Sequence, residues 1–295
     1  MTDKNNNKEK LGSIGLFLTA LIWGYSFVAV KVVVNEVPPF YLVGFRNFIG
    51  GIFLFLIFFK ITRTITKRDI LLTLPIGITL FFGFWLQTIS AQFITASKIA
   101  FFTGAYVILV PFFTWIIYKK KPHTAAFIAA FITLIGLYLL TSVDGIKNIK
   151  VGDLFAILCA VAFAIHLVLI DAVIPKVNGI KMASLQLLTA GSISLILGLI
   201  TRTPLNISSL SNETIYSFLY LAIGATAMAY LLQTVSQKYV SPHKTGIILS
   251  LESFLGALCG IIFMQDAINI KTILGGLFII SAIFICEIGS NIKKN

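Results

Sequence analysis

LQTISAQFITASK, residues 86–98, matches LQTVSQKYVSPHK, residues 232–244, without a gap. Leucine, glutamine, threonine, serine and the final lysine are identical, and similar residues stand at several positions between them. Each copy places a glutamine, Gln87 or Gln233, inside a long apolar segment, where composition alone does not supply one. The duplication predicts two related halves that carry the same polar group. The alternative is that two apolar segments resemble each other by composition only.

The composition around these segments is that of a membrane protein. The 295 residues are 58% hydrophobic and only 12% charged, with a mean hydropathy of +0.96. Soluble domains carry about 25% charged residues, so a chain this poor in charge is predicted to lie in a membrane. Its apolar runs reach about 20 residues, the length that a helix needs to cross the hydrocarbon core. Since a helix satisfies its own backbone hydrogen bonds, we expect an all-α polytopic bundle.

The apolar runs and the prolines between them predict ten transmembrane helices joined by short loops. Short loops make consecutive helices antiparallel neighbours. The predicted spans are residues 11–34, 40–60, 70–92, 96–118, 123–142, 151–174, 182–201, 213–237, 242–263 and 270–290.

The basic residues predict the orientation of these spans. With the N-terminus inside, 16 of the 23 Lys and Arg residues fall in inside segments and five in outside loops, while Lys31 and Arg46 lie within spans. Basic residues accumulate on the cytoplasmic side, so we expect both termini to be cytoplasmic. The net charge of +12 is explained by this distribution and by membrane lipid, without a nucleic-acid partner. Loops rich in Lys, Asn and Ile suggest an AT-rich bacterial genome, and we expect the protein in the bacterial inner membrane.

The repeat extends beyond the opening motif. Gly15 aligns with Gly152 at the starts of spans one and six, and Gly51 aligns with Gly191 in spans two and seven. Residues 1–145 would then form one unit of five helices and residues 146–295 a second. Because five is odd, the second unit must enter the membrane from the opposite side. Such inverted repeats are typical of secondary transporters, whose substrate sites lie near the midplane between the repeats.

Two ionisable residues are predicted near the middle of the bundle. Glu252 lies about ten residues into span nine, where a charged side chain costs roughly 2.5 kcal/mol or more. It is either a carboxylate that binds substrate or protons, or a protonated acid that serves packing; its counterpart in the first half is Tyr106. His166 in span six either titrates or makes a structural hydrogen bond between helices.

Lys31 and Arg46 lie close to the outer ends of spans one and two. One interpretation is that both side chains extend along the helix to the membrane surface. The other is a positive outer gate or an anion-attracting site, with Glu36 as a partner. Arg46 aligns with Gln186, so its charge has no copy in the second half.

Aromatic residues are dense around the duplicated motif, and a subset is expected to line an apolar cavity for an organic substrate. The candidates are Trp85, Tyr106 and Tyr230. Motifs of enzymes and of nucleotide or metal binding are missing from the sequence: there is no P-loop, no G-x-S-x-G and no H-E-x-x-H. We therefore expect neither catalysis nor a cofactor. The cysteines, Cys159, Cys259 and Cys286, are interpreted as small apolar residues.

Six motifs, in order, resemble the drug/metabolite transporter superfamily of the EamA type over essentially the whole chain. One departure is Gln265-Asp266 at the end of span nine, where many relatives carry Gly-Glu. Trp23, Lys31 and Arg46 fall on the first two motifs. The motifs are WGYSFVAVK (23–31), PPFYLVGFR (38–46), AFFTGAYVILVPFFTW (100–115), LIGLYLL (134–140), ILSLESFLGALCG (248–260) and GGLFIISAIFI (275–285).

The resemblance implies a plasma-membrane transporter of small metabolites, often an exporter of amino acids, aromatic compounds or toxic analogues. Its central cavity would open alternately to each side, and some relatives use protons. We expect Gln87, Tyr106, Gln233 and Glu252 to contribute the substrate site. The rival hypotheses are an intramembrane enzyme acting on a lipid-linked substrate and a channel or membrane sensor. The sequence leaves monomer and homodimer open.

Overall fold

A computed structural model describes residues 2–119, 121–141, 151–206, 210–240 and 242–291. These residues form helices joined by short connections. The helices are α1 (Thr2–Val33), α2 (Pro39–Ile57), α3 (Phe59–Thr62), α4 (Lys67–Ser90), α5 (Ala96–Gly104), α6 (Tyr106–Tyr118), α7 (Thr124–Thr141), α8 (Val151–Val173), α9 (Gly179–Ile200), α10 (Asn212–Leu219), a π-helical segment (Tyr220–Met228), α11 (Ala229–Ser236), α12 (Pro242–Met264) and α13 (Ile270–Asn291).

Within the described ranges, seven helical segments are long and apolar enough to cross a membrane. Three further apolar helices are shorter, so the count of ten spans stays a prediction. The seven are Asn7–Val33, Pro39–Ile57, Lys67–Ser90, Ala96–Tyr118, Val151–Val173, Gly179–Ile200 and Asn212–Ser236; the three are Thr124–Leu139, Ile248–Met264 and Ile270–Ile285.

Side-chain caps begin several helices where the sequence turns from polar to apolar. Thr66 accepts a hydrogen bond from the backbone of Asp69, whose carboxylate accepts one from the backbone of Thr66, a reciprocal capping box before α4. Asn178 and Ser211 cap α9 and α10 through their side-chain oxygens.

Three predicted spans are interrupted. Span two was expected to run to residue 60, but α2 ends at Ile57 and the short α3 follows. Span four divides at Ala105 into α5 and α6. Span eight is built from α10, the π-helical segment and α11. Breaks of this kind are tolerated at membrane depth where the backbone is buried in protein.

The two halves pack against each other along their whole length. Extensive contacts join α2 to α9, α1 to α12, α4 to α8 and α7 to α13, and each of these pairs takes one helix from each half. The main hydrophobic core lies between these pairs and draws residues from both halves. A site between the halves is therefore enclosed by protein.

The close contact of α2 with α9 is reciprocal. A Cβ atom on Gly51 would lie 2.9 Å from the backbone nitrogen of Leu188, and one on Gly191 would lie 2.5 Å from that of Phe48. The shift of 140 residues that aligns Gly51 with Gly191 also aligns Phe48 with Leu188. The same contact is thus made twice, as a two-fold axis between the halves requires.

A second reciprocal contact corrects the alignment of the first helices. A Cβ on Gly152 would meet Ser90, Phe93 and Ile94, and one on Gly12 would meet Ser236, Tyr239 and Val240. The 146-residue shift of the opening motif relates these two sets of three residues. Gly12, and not Gly15, is therefore the structural counterpart of Gly152.

These contacts fix the direction of the halves. Lys31 at the end of α1 hydrogen-bonds the end of α4, and Gly152 at the start of α8 contacts the same end of α4. The start of α1 contacts the end of α11 instead. Helices α1 and α8 therefore begin at opposite ends of the bundle. We call the end at which α1 begins the α1 end.

Candidate functional site

A cavity lies between the halves, with walls from α1, α4, α5, α6, α8, α11 and α12. The empty space among its lining atoms amounts to about 450 Å³, including the mouth, but the passage is narrow, with room for only a few water molecules. Its lining residues are Trp23, Ser26, Phe27, Phe84, Gln87, Thr103, Tyr106, Phe163, His166, Leu167, Tyr230, Gln233 and Glu252.

The lining follows the internal repeat. All of these residues except Thr103 form pairs of equivalent positions in the two halves. The 140-residue shift relates the residues of α1 to those of α8, and the 146-residue shift relates the remainder. The pairs are Trp23 with Phe163, Ser26 with His166, Phe27 with Leu167, Phe84 with Tyr230, Gln87 with Gln233 and Tyr106 with Glu252.

Glu252 is the acidic residue among the described residues of this lining. Its side chain is 3% exposed and forms a hydrogen bond with the hydroxyl of Tyr106, its own repeat counterpart. Within the part of the chain that the structure describes, no Lys or Arg forms an ion pair with it. The two residues that the repeat relates thus contact each other across the cavity.

His166 contacts both the cavity and the neighbouring helix. A ring nitrogen, Nε2, lies 2.8 Å from Oε1 of Gln186 on α9, and both side chains are buried. The structural hydrogen bond that the sequence allowed for His166 is therefore present, and the ring also lines the cavity. The sequence identified Gln186 only as the counterpart of Arg46; its contact with His166 was missed.

Arg46 is buried, with a side chain 1% exposed, so the prediction that it extends to the membrane surface is wrong. Its guanidinium carbon lies 4.3 Å from the ring centroid of Phe84, a cation–π contact. Nε donates a hydrogen bond to Oγ1 of Thr226 at 2.9 Å, whereas the buried Nη1 has no partner in the described residues. Arg46 supports the wall of the cavity behind Phe84 and does not line it.

Glu36, the proposed partner of Arg46, has a different contact. Its Oε2 accepts a hydrogen bond from the backbone N–H of Ser211 at 2.8 Å. This hydrogen bond holds the pKa of Glu36 below its usual value. Glu36 therefore ties the turn after α1 to the start of α10.

The side chain of Lys31 donates hydrogen bonds to backbone carbonyls that follow α4. Its Nζ donates to the carbonyl oxygens of Ala91 and Ile94, at 2.6 and 2.9 Å. Both carbonyls lie just beyond the end of α4, where a cation also complements the helix dipole. Lys31 therefore fastens α1 to the C-terminal end of α4.

The two glutamines of the duplicated motif both line the cavity. Gln87 Nε2 lies 3.5 Å from Oγ1 of Thr103, at the long limit of a hydrogen bond. Oε1 of Gln233 is buried and has no hydrogen-bond partner within the described ranges. An unpaired polar atom at this depth is costly unless a ligand or water completes it.

The predicted aromatic residues separate into two groups. Tyr106 and Tyr230 line the cavity, and Trp23, named only as part of a family motif, lines it as well. Trp23 Nε1 donates to the carbonyl of Ala225 at 3.0 Å, and its ring centroid is 5.1 Å from that of Tyr230. Trp85 lies outside the cavity and stacks on Phe40, with ring centroids 5.5 Å apart.

A model of the EamA-like transporter family matches residues 10–142 and again residues 150–287. An uncharacterized transporter of Archaeoglobus fulgidus is 28% identical over 281 residues, covering 95% of this chain and 87% of the relative. The uncharacterized transporter YoaV of Bacillus subtilis is 24% identical over 284 residues, covering 92% and 94%. A solved crystal structure superimposes with a TM-score of 0.70 at 15% identity and covers 96% of this chain and 99% of that one, which shows a shared fold.

Proposed function

The chain belongs to the EamA-like transporter family, and we propose that this membrane transporter carries a small organic metabolite by alternating access through the central cavity. The pairing of the cavity residues by the repeat is the observation that carries the proposal. In inverted-repeat transporters the substrate lies between the repeats, and the two repeats exchange conformations as the site opens to one side and then the other. A cavity built from equivalent positions of both halves suits that cycle.

The repeat organisation and orientation belong to the same proposal. Residues 1–145 and 146–295 act as two inverted units, and their boundary lies outside the described residues. Both termini face the cytoplasm of a bacterial cell, in agreement with the distribution of basic residues, and transport is directed outward.

We assign the substrate contacts to the polar groups of the lining. Both halves provide hydrogen-bonding groups, through Gln87 and Tyr106 in the first half and Gln233 and Glu252 in the second. His166 adds a ring nitrogen. Tyr230 and Trp23 form an apolar wall. In this proposal Arg46, Lys31 and Trp85 maintain the shape of the bundle and do not touch the substrate.

Cysteine accessibility tests alternating access without a known substrate. Cys159, Cys259 and Cys286 are first replaced, and Gln87→Cys and Gln233→Cys are then examined singly in sealed membranes. We expect a membrane-impermeant thiol reagent to reach each cysteine from either side, because the site opens to both in turn. A cysteine at Phe82, which is largely exposed on the lipid-facing surface, serves as the unreactive control.

The outcome separates a carrier from a channel. A carrier exposes the site to one side at a time, so trapping one conformation with a cross-link between α1 and α11 should abolish labelling from one side only. Simultaneous labelling from both sides, or no labelling from either, would contradict alternating access.

We further propose that Glu252 carries a coupling proton, with His166 as the alternative. The groups facing Glu252 are the hydroxyls of Tyr106 and Tyr230 and the thiol of Cys159. Of these groups Tyr106 hydrogen-bonds the carboxylate directly, so loss of a proton changes a contact between the two halves. The charge of Arg46 acts on the same Tyr230 with the opposite sign.

Glu252→Gln is expected to remove the pH dependence of uptake into proteoliposomes. The amide retains a hydrogen bond to Tyr106 but cannot exchange a proton. The transported compound is taken from a thermal-shift screen of amino acids, nucleosides and aromatic amines. Glu213→Gln, at an exposed acid of α10, is the matched control and should retain the dependence. A Glu252→Gln protein with the pH profile of the wild type would exclude the carboxylate as the coupling group.

A further inference from the structure

We propose that the cavity selects a small aromatic cation that carries N–H donors, such as a protonated primary amine on a fused ring. This inference rests on the proposed function and specifies the substrate that the same site takes. It is carried by the charges, the aromatic walls and the unpaired polar atoms of the lining.

The lining carries an acidic group. Glu252 is the single Asp, Glu, Lys or Arg residue among the described residues that line the cavity, and no Lys or Arg of the described chain neutralises it by an ion pair. A buried carboxylate is stabilised by a positive charge or by several hydrogen bonds, and the protein provides the hydroxyl of Tyr106. A cationic substrate supplies the missing countercharge.

The walls suit an aromatic cation. Trp23 and Tyr230 have ring centroids 5.1 Å apart, and their repeat counterparts, Phe163 and Phe84, have centroids 5.7 Å apart. The cavity thus has an aromatic pair from each side of the two-fold axis. Aromatic faces attract ammonium groups and also stack on flat rings. The rings of Phe84 and Tyr230 also meet, with centroids 5.7 Å apart, so the two pairs form one continuous aromatic wall.

The buried side-chain atom of the lining that lacks a partner among the described residues is an acceptor. Oε1 of Gln233 has no partner in the described part of the chain, and the carboxylate of Glu252 can accept more than the bond from Tyr106. His166, which also lines the cavity, uses Nε2 toward Gln186, so Nδ1 is the ring nitrogen that does not take part in this bond. A ligand with several N–H donors would satisfy these groups, whereas an acceptor-only ligand would leave them unpaired.

Arg46 lies behind the aromatic wall and does not pair with an anionic or zwitterionic ligand in the cavity. Its guanidinium contacts Phe84 and Thr226 and lies outside the cavity lining, so it offers no direct contact to a carboxylate in the cavity. A ligand carboxylate would face Glu252 without a cation between them. Repulsion and lost hydration would then act together against binding.

Four indole compounds that differ only in the side chain test this selectivity: tryptamine, the neutral tryptophol, the anion indole-3-propionate and the zwitterion tryptophan. Binding is measured by calorimetry on the full chain in nanodiscs. We expect tryptamine to bind at least about tenfold more tightly than the other three, since a charge-assisted hydrogen bond and a cation–π contact are each worth about 1–2 kcal/mol. Glu252→Gln should remove this preference, and Glu213→Gln should keep it.

Gln233→Met provides a second variant in case Glu252→Gln does not fold. It should weaken tryptamine about tenfold through loss of one acceptor and leave tryptophol nearly unchanged. Three results would each overturn the proposal. They are that tryptamine does not bind at millimolar concentration, that indole-3-propionate or tryptophan binds as tightly as tryptamine, or that Glu252→Gln keeps the wild-type preference.

Counterflow in proteoliposomes separates this inference from the proposed function. Saturable counterflow of an anionic or zwitterionic compound without binding of tryptamine would overturn cation selectivity and support a carrier. Tight tryptamine binding without saturable counterflow would support the cation site and contradict transport through it. Binding together with saturable counterflow of tryptamine supports both.

Discussion

Oxidation of the double variant Gly15→Cys/Ser236→Cys is expected to stop transport, and reduction to restore it. A Cβ on Gly15 would lie 3.6 Å from Cβ of Ser236, close to the mean of about 3.8 Å in disulfides. The bond would join α1 of the first half to α11 of the second near the α1 end of the bundle. If the cavity opens at this end, these helices must separate, so the cross-link should hold the end closed.

The effect is measured as counterflow of a compound that the wild type carries, in a background in which Cys159, Cys259 and Cys286 are replaced. We expect activity to fall to the level of empty liposomes on oxidation. Neither single variant should respond to oxidant. In the oxidised protein that also carries Gln87→Cys in the cavity, a thiol reagent should label this introduced cysteine only from the end opposite the α1 end.

A second cross-link serves as the control for this experiment. Gly198→Cys with Phe40→Cys joins α9 to α2, and a Cβ on Gly198 would lie 3.3 Å from Cβ of Phe40. Helices α2 and α9 pack through Gly51 and Gly191 as a fixed scaffold, so this bond should leave counterflow near the wild-type rate. Undiminished counterflow in the oxidised Gly15→Cys/Ser236→Cys protein would show that α1 and α11 do not form a gate.

The helical fold follows from hydropathy, because long apolar segments can satisfy their backbone only as helices in lipid. The interruptions do not follow from the same pattern. The division at Ala105 and the π-helical segment carry no proline at the break, and Pro75 and Pro111 lie inside continuous helices. These irregularities depend on contacts between helices, which hydropathy does not describe.

The register of the repeat was predictable where polar residues mark it. Gln87 and Gln233 align without ambiguity because a glutamine is unusual inside an apolar segment. At the start of the two halves the segments share mainly small and apolar residues. The alignment of Gly15 with Gly152 was therefore shifted by three residues, and the contacts of Gly12 supply the correction.

The lining of the cavity shows what one sequence can indicate about a helix face. Successive residues of a helix are rotated by about 100°, so Trp85 and its neighbour Phe84 face different directions. Phe84 lies three residues before Gln87 on the same face and corresponds to Tyr230 in the repeat. Both signals could have selected Phe84 over Trp85 from the sequence.

The environment of Arg46 could not be predicted in this way. Its position in the span gives its depth, but depth alone does not distinguish a side chain that extends to the surface from one that turns inward. The contacts that retain it, Phe84 on α4 and Thr226 in the π-helical segment, are far away in sequence. Only the packing of three separate helical segments brings them together.

Gly191→Leu is expected to prevent accumulation of folded protein. A Cβ at this position would lie 2.5 Å from the nitrogen and 2.8 Å from Cα of Phe48, both backbone atoms. Helix α9 could accept the side chain only by moving away from α2, which would disrupt the contact on which the two halves depend. Overpacking commonly costs about 1–3 kcal/mol, and a clash with backbone at a helix crossing should reach the upper end of that range or exceed it. Small residues are used at such crossings for this reason.

The reciprocal contact makes the prediction specific. Gly51→Leu should be equally damaging because its Cβ would meet the backbone of Leu188, whereas Gly224→Ala should be tolerated because its nearest neighbour is 3.4 Å away on the ring of Tyr220. Phe48→Ala should not rescue Gly191→Leu, since the obstructing atoms are in the main chain and remain after truncation. The measurements are the yield of monodisperse protein and its thermal unfolding midpoint in detergent. Wild-type yield and midpoint for both leucine variants would mean that the α2–α9 crossing is looser than its geometry indicates. Helices α2 and α9 would then no longer qualify as a fixed scaffold.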